Sequence, residues 1–253
     1  MQSQEMAWLL QEKYDGEKSV AFFADCKRLA LGEPLAYLIG HTPFLNCKIW
    51  LDSRPLIPRP ETEYWTEEAI TTIRGGATLP LGFAAKPVRV LDLCAGSGCI
   101  GIAVAKALQN TLVDFAEIDQ THLSTIEKNL KENQIDATRY HIFHSNLFST
   151  VVDKYDYILS NPPYVDPALD RIEESVVTHE PYLALFGGER GLEVIAAIVG
   201  AAPLYLRSGG QLWLEHEPEQ SAAIAKLGAT HHFTTTTHTD QYDIERYSIL
   251  VLQ

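Results

Sequence analysis

The sequence predicts an α/β fold, a doubly wound parallel sheet covered by helices on both faces, carried behind a small amino-terminal module of helices and a β-hairpin. Three observations lead there. From residue 88 onward, short apolar runs alternate with longer helical segments. The first run, Val88 to Leu93, ends in the Gly-rich turn Cys94-Ala95-Gly96-Ser97-Gly98, as a nucleotide-binding strand does where it passes into its helix. A later run, Tyr155 to Leu159, ends in Ser160-Asn161-Pro162-Pro163-Tyr164, where two prolines forbid further ladder pairing and hold an extended turn.

Taken in order, residues 1 to 31 read as helical, broken near Asp15-Gly16 and stopped by Gly32-Glu33-Pro34. Leu35 to Gly40 leads into Pro43 to Leu51, whose alternation suggests a hairpin. Pro60 sits near the first position of the next helix, with Glu61 and Glu63 favoured by its dipole; Arg59, just ahead, either serves that start or lines a ligand pocket. The front module thus spans 1–74, a Gly, Ala and Pro-rich linker 75–87, and the main domain 88–253. In that domain Val88 to Leu93, Leu112 to Glu117, Arg139 to His144, Tyr155 to Leu159 and Gln211 to Glu215 are strands; Cys99 to Leu108, His122 to Asn133 and Leu192 to Leu206 are helices.

Composition narrows the function. The chain has 253 residues, 46% of them hydrophobic, enough for one large or two small domains. No apolar run approaches the roughly 20 residues of a membrane span, and Met1-Gln2-Ser3-Gln4-Glu5 lacks the parts of a signal peptide, so no membrane partner is expected. Cys26, Cys47, Cys94 and Cys99 contain no CxxC pair and read as free thiols in a reducing compartment, the cytoplasm. A net charge of −13 with only 20 Lys and Arg argues against a long nucleic-acid footprint, because phosphate binding needs clustered bases. The histidines near His231, His232 and His238 lack metal-ligand spacing, so no metal is expected.

The two turns suggest methylation of a planar NH2 group. Asn161 offers a side-chain oxygen, and Pro162 and Pro163 leave carbonyls without competing N–H groups, so two acceptors can grip two amino protons while Tyr164 stacks on the flat face. Such a grip turns the nitrogen lone pair toward an electrophile, which is catalysis by orientation and electrostatics. Gly96, Gly98 and Gly101 satisfy GxGxxG, which alone also fits an NAD site. Glu117, 21 residues beyond Gly96, can take ribose hydroxyls in either case. Asp92, four residues before Gly96, gives the D-x-x-x-G-x-G form typical of methyltransferases and can contact the turn or the cofactor.

Over most of its length the chain resembles the HemK/PrmC-type protein-(glutamine) methyltransferases, which modify the Gly-Gly-Gln glutamine of peptide chain release factors. The resemblance rests on Gly32 to Tyr37, Pro58-Arg59-Pro60-Glu61-Thr62-Glu63, Val90 to Gly98, Asn161 to Tyr164, Glu180-Pro181, Gly209-Gly210 with Glu215, and the pair Asp240 and Arg246. It implies a class I S-adenosylmethionine-dependent methyltransferase (Rossmann-like) sheet ending in an antiparallel hairpin, with S-adenosylmethionine as methyl donor, S-adenosylhomocysteine as product and a release factor as protein partner. It implies that Ala95, Gly96 and Gly98 hold the donor's methionine portion, Glu117 its ribose, and that Asn146 and Leu147 flank its adenine, with Asp92, Cys94 and Ser97 also among the cofactor-binding residues. Asn161, Pro162, Pro163 and Tyr164 would hold the glutamine amide, with Asn161 also touching the donor. The chain departs from the family pattern in having Glu117 and Asn146 where Asp is usual, and in having only 31 residues ahead of Gly32. The alternatives are an amino-methyltransferase acting on adenine or guanine, an NAD-dependent oxidoreductase and a catalytically silent binding module.

Overall fold

The computed structural model describes residues 2–76, 86–169 and 173–253. Helices α1 (Gln2–Tyr14) and α2 (Val20–Ala30) are separated where Asp15 and Gly16 turn left-handed, at φ 50° and 83°. Ser19 caps α2 by accepting the Phe22 N–H. The segment after Pro34 is itself a short helix, α3 (Leu35–Ile39), and not merely a lead into the hairpin; Gly40 ends it at φ 94°. Leu9, Phe22, Leu29 and Leu38 join these three helices in a small apolar cluster of their own.

Strands β1 (His41–Phe44) and β2 (Cys47–Trp50) form the expected antiparallel hairpin, and α4 (Pro60–Gly76) begins at Pro60, whose missing N–H would find no helical partner there anyway. Glu63 of α4 accepts the Leu45 N–H and so ties the hairpin turn to the helix. Hairpin and α4 share the main core: Phe44, Ile49, Trp65 and Ile73 pack in one cluster with Val90, Ile102 and Phe115. Most of the linker expected at 75–87 lies outside the described residues, and Gly75 and Gly76 still belong to α4.

The remaining elements are β3 (Val88–Leu93), α5 (Cys99–Ala107), β4 (Thr111–Glu117), α6 (Gln120–Glu132), β5 (Tyr140–His144), β6 (Tyr155–Ser160), α7 (Glu174–His179), α8 (Tyr182–Leu185), α9 (Glu193–Tyr205), β7 (Leu206–Glu215), α10 (Ser221–Thr230), β8 (Phe233–Thr239) and β9 (Glu245–Leu252). The sheet order is β5-β4-β3-β6-β7-β9-β8. Its first five strands are parallel, and β9 pairs antiparallel with both β7 and β8.

Side chains alternate across this sheet, as the strand period of two requires. Val90, Phe115 and Leu159 face the core shared with α4, α5 and α6, while Leu91, Ile158 and Leu212 face Ile195, Ile198 and Ile224 of α9 and α10. Strand β7 starts five residues earlier than the sequence suggests, because Arg207 to Gly210 bulge out between the Tyr155–Leu206 and Tyr157–Gln211 pairs, with Gly209 at φ 73°. From β3 the chain winds outward through β4 to β5; from β6 it winds the other way to β7. The switch point therefore falls between β3 and β6, whose last residues Leu93 and Ser160 are register partners. Ligands in open α/β sheets bind at the carboxyl ends of the strands beside such a switch, and both turns singled out in the sequence sit there. Among the described residues no helix is long and apolar enough to cross a membrane.

Candidate active site

At the end of β3 the turn is built from left-handed residues, with Cys94 at φ 62°, Gly96 at φ 55° and Gly98 at φ 78°. Gly101 serves packing instead. A Cβ there would sit 2.4 Å from the Phe115 ring, so its bareness lets α5 lie close on β4. Asp92 is fully buried, and its Oδ2 accepts the Gly101 N–H at 2.8 Å. Burial pushes its carboxyl up to about 8. Its position braces the start of α5 behind the turn, one of the two contacts its spacing from Gly96 allows, and it does not border the cavity.

Glu117, closing β4, binds the turn from the other side. Its Oε2 accepts the Gly96 N–H at 2.7 Å and its Oε1 accepts the Asp119 N–H at 2.8 Å, and each oxygen retains acceptor capacity. The carboxylate borders a cavity of about 370 Å³ whose wall also includes Cys94, Gly96, Asn146, Leu147 and Asn161. Asn146 and Leu147 are presented by a loop folded on itself: Ser145 donates to the Leu147 carbonyl at 2.7 Å, and the Asn146 N–H donates to Ser149 at 3.1 Å. Ala95, Ser97 and Gly98 shape the turn without contributing to that wall; the Ser97 carbonyl is taken by Asn129 at 2.9 Å. Burial pushes the Cys94 thiol up to about 12, which leaves it protonated and a poor nucleophile.

At the end of β6 the proline turn is clamped from three elements. Asn161 Nδ2 donates to Thr62 Oγ1 at 3.0 Å, and that hydroxyl donates to Glu215 Oε2 at 2.7 Å. The same Oε2 accepts the Trp65 indole N–H at 2.6 Å, and Oε1 accepts the Tyr164 hydroxyl at 3.0 Å. Burial, then the adjacent Glu215 carboxylate, hold the Tyr164 phenol well above its usual value, so it remains a neutral donor. Gln220 Nε2 binds the Tyr164 carbonyl at 2.8 Å. Gly187 and Gly191 pass so close beneath that a Cβ would lie 2.4 Å from the Pro163 oxygen and 1.8 Å from the Tyr164 oxygen.

Pro162 and Tyr164 border a second cavity of about 500 Å³ that shares Leu56, Asn161 and Ala184 with the first, while Pro163 borders the first. Asn161 therefore stands in a wall common to both spaces. Arg59 lines the second cavity and donates to Glu180 at 2.6 Å; Glu180 also takes the Ile57 N–H at 3.1 Å, which pins this segment over both spaces. Asp240 and Arg246 form the anticipated pair, at 3.2 Å, beside the β8–β9 turn. Thr62 and Glu215 stand within stretches that carry the family resemblance but read there only as part of a helix start and a strand end, and Trp65 carries no mark of its own, so nothing in the sequence singles the three out as a clamp on Asn161. Among the described residues no group of His, Cys, Asp and Glu is arranged to hold a metal.

A family model described as "Methyltransferase small domain" matches residues 77–187. A protein of Francisella tularensis called release factor glutamine methyltransferase is 35% identical over 208 residues, which is 82% of this chain and 70% of that protein. A Lactococcus lactis protein of the same name is 31% identical over 227 residues, 88% of this chain and 78% of its own. The chain belongs to the release factor glutamine methyltransferase family. Solved structures agree at the level of fold. A methyltransferase from Pyrococcus furiosus aligns with a TM-score of 0.59 at 16% identity, over 90% of this chain and 97% of its own. A Thermus thermophilus 16S rRNA N2 G1207 methyltransferase, in complex with AdoMet and guanosine, aligns with a TM-score of 0.55 at 18% identity, over 84% of this chain and 49% of its own. This family member thus has the class I methyltransferase sheet, and its two turns lie at that sheet's switch point.

Proposed function

We propose that this chain transfers a methyl group from S-adenosylmethionine to the side-chain amide nitrogen of the glutamine in the Gly-Gly-Gln motif of peptide chain release factors. The observation that carries the reading is the place of Asn161, in the wall shared by the Glu117 cavity and the Pro162–Tyr164 cavity. A donor in the first space and a glutamine side chain in the second meet at that residue.

The first cavity fits the donor by its chemistry. Glu117 retains acceptor capacity on both oxygens for ribose hydroxyls, Leu147 and Ile118 give an apolar flank for a base, and no atom lies within 4 Å of where a Gly96 Cβ would project. When bound, the donor supplies an electrophilic methyl group on a sulfonium. Asn161 Oδ1 and the Pro162 carbonyl accept the two amide protons and direct the nitrogen lone pair toward the first cavity, with the Tyr164 ring alongside the amide plane. The nitrogen becomes acidic only as it is alkylated, so water or a backbone oxygen takes the proton. Glu215 is no candidate base, because three donors already occupy its oxygens behind Tyr164.

In the same reading residues 1–74 recognise the protein substrate and 88–253 carry the chemistry. The family membership favours a protein amide over adenine or guanine as acceptor. The test supplies donor labelled in its methyl group together with a release factor and, separately, RNA and DNA. Label in the protein alone supports the reading; label in nucleic acid alone overturns it.

A further inference from the structure

An amide is nearly symmetric in shape, so something must decide whether Asn161 shows the acceptor its oxygen or its NH2. Thr62, in the first turn of α4, is buried and uses its hydroxyl twice, donating to Glu215 at 2.7 Å and meeting Asn161 at 3.0 Å. A hydroxyl has one proton. Once that proton is committed to Glu215, the oxygen can only accept from Asn161, and the amide must turn Nδ2 toward Thr62.

Glu215 enforces the commitment. Its Oε2 receives the Trp65 indole N–H at 2.6 Å as well as Thr62, and an indole only donates. An ionised carboxylate can only accept, so Thr62 must be the donor in that contact. With Glu215 ionised, the direction of each bond from Trp65 to Asn161 is therefore fixed.

We infer that Thr62 and Glu215 are positioning residues that hold the Asn161 amide with its oxygen toward the acceptor, so that the site takes an NH2 group and rejects the isosteric carboxylate. The inference rests on the functional reading above. Glu215 also holds the Tyr164 hydroxyl, so one buried carboxylate orients both sides of the acceptor grip.

The test is Thr62→Val, equal in shape and unable to bond, beside Thr62→Ser, which restores the hydroxyl. Turnover of the release factor should fall about 10- to 100-fold in Thr62→Val, the scale of a misaligned reacting group, and recover in Thr62→Ser. Melting temperature and affinity for S-adenosylmethionine report the fold, and Thr62→Ala replaces the valine variant should that not fold.

The decisive readout is selectivity. A release factor whose Gly-Gly-Gln glutamine is changed to glutamate should inhibit wild-type enzyme weakly; in Thr62→Val the freed amide can turn its NH2 to the carboxylate, so inhibition by that factor should strengthen about tenfold relative to KM for the glutamine form. Glu215→Gln should keep the wild-type selectivity, because Trp65 and Thr62 both draw the carboxamide oxygen to the Oε2 position. Unchanged turnover in Thr62→Val overturns the inference, as does lost turnover with unchanged selectivity, which would make the contact merely structural. If wild-type enzyme itself fails to methylate the release factor, the functional reading falls; if it succeeds while the variants match it, only the orientation inference falls.

Discussion

Replacing Glu117 by glutamine changes no shape and reverses the polarity of one contact. In the native site one carboxylate oxygen accepts the Gly96 N–H at 2.7 Å and the other accepts the Asp119 N–H at 2.8 Å, with the residue only 6% exposed. A carboxamide has one oxygen, so one of those N–H groups must face an NH2. A buried donor left without an acceptor costs about 1–3 kcal/mol, which should appear as a lower Tm. In the proposed site the donor ribose would meet the same deficit. Loss of one charge-assisted bond, about 1.5–3 kcal/mol, weakens Kd for S-adenosylmethionine by about 10- to 150-fold. Calorimetric titration of the donor into wild type, Glu117→Gln and Glu117→Asp measures this directly; the aspartate keeps both oxygens and should lose less. A glutamine variant with the wild-type Kd would show that the ribose is held elsewhere and that the first cavity has been assigned to the wrong ligand.

Asn161→Ala should lower kcat by about 10²–10³-fold, the usual scale for removing one oriented polar contact to a reacting group, while donor affinity survives; single-turnover methyl transfer decides it, and undiminished turnover would remove Asn161 from the acceptor site. Gly191→Ala puts a Cβ 1.8 Å from the Tyr164 oxygen at a residue with φ of +66°. Left-handed strain of about 1–2 kcal/mol, with displacement of the Tyr164 carbonyl, should lower Tm and turnover together, and a variant equal to wild type in both would contradict the packing described. Asp92 supplies a pH dependence. Burial raises its carboxyl from 3.8 to about 8, so the native state holds the proton more tightly than the unfolded chain. Its contribution to stability is full below pH 3.8 and is lost as pH rises through about 8, with a slope of up to about 1.4 kcal/mol per pH unit between. Denaturant unfolding across that range should show the slope in wild type and a flatter one in Asp92→Asn; equal slopes would mean that Asp92 is ionised throughout.

The parts of this molecule governed by local pattern are legible in its sequence. The strand Val88–Leu93 has the bounds its apolar run predicts, and Tyr155–Ser160 differs by one residue, because buried parallel strands are short apolar runs closed by turn chemistry. Helix α3, at five residues, is too short to show a helical period, and α7 and α8 are shorter than any reliable pattern. The early half of β7 is hidden by Gly209 and Gly210, which read as a break and act as a bulge.

In the site, both turns are legible because glycine and proline mark backbone shape directly. The side-chain clamp behind them is not. Thr62 and Glu215 are 153 residues apart and meet only because the first turn of α4 lies against the carboxyl ends of β6 and β7. In the sequence, the charges of Glu61 and Glu63 give the helix start its apparent meaning, although the threonine between them makes the contact to Asn161. Asp92 marks the opposite limit: its spacing from Gly96 identifies the motif, and only the fold shows that its carboxyl group faces the Gly101 N–H.

The most direct test of the central claim is mass spectrometry of a purified release factor after incubation with this protein and S-adenosylmethionine, mapped by peptide and repeated with the Gly-Gly-Gln glutamine replaced. The account predicts one added methyl group, confined to the peptide bearing that glutamine and absent from the substituted factor. A release factor left unmodified by enzyme that binds the donor, or a methyl group carried elsewhere, would contradict it.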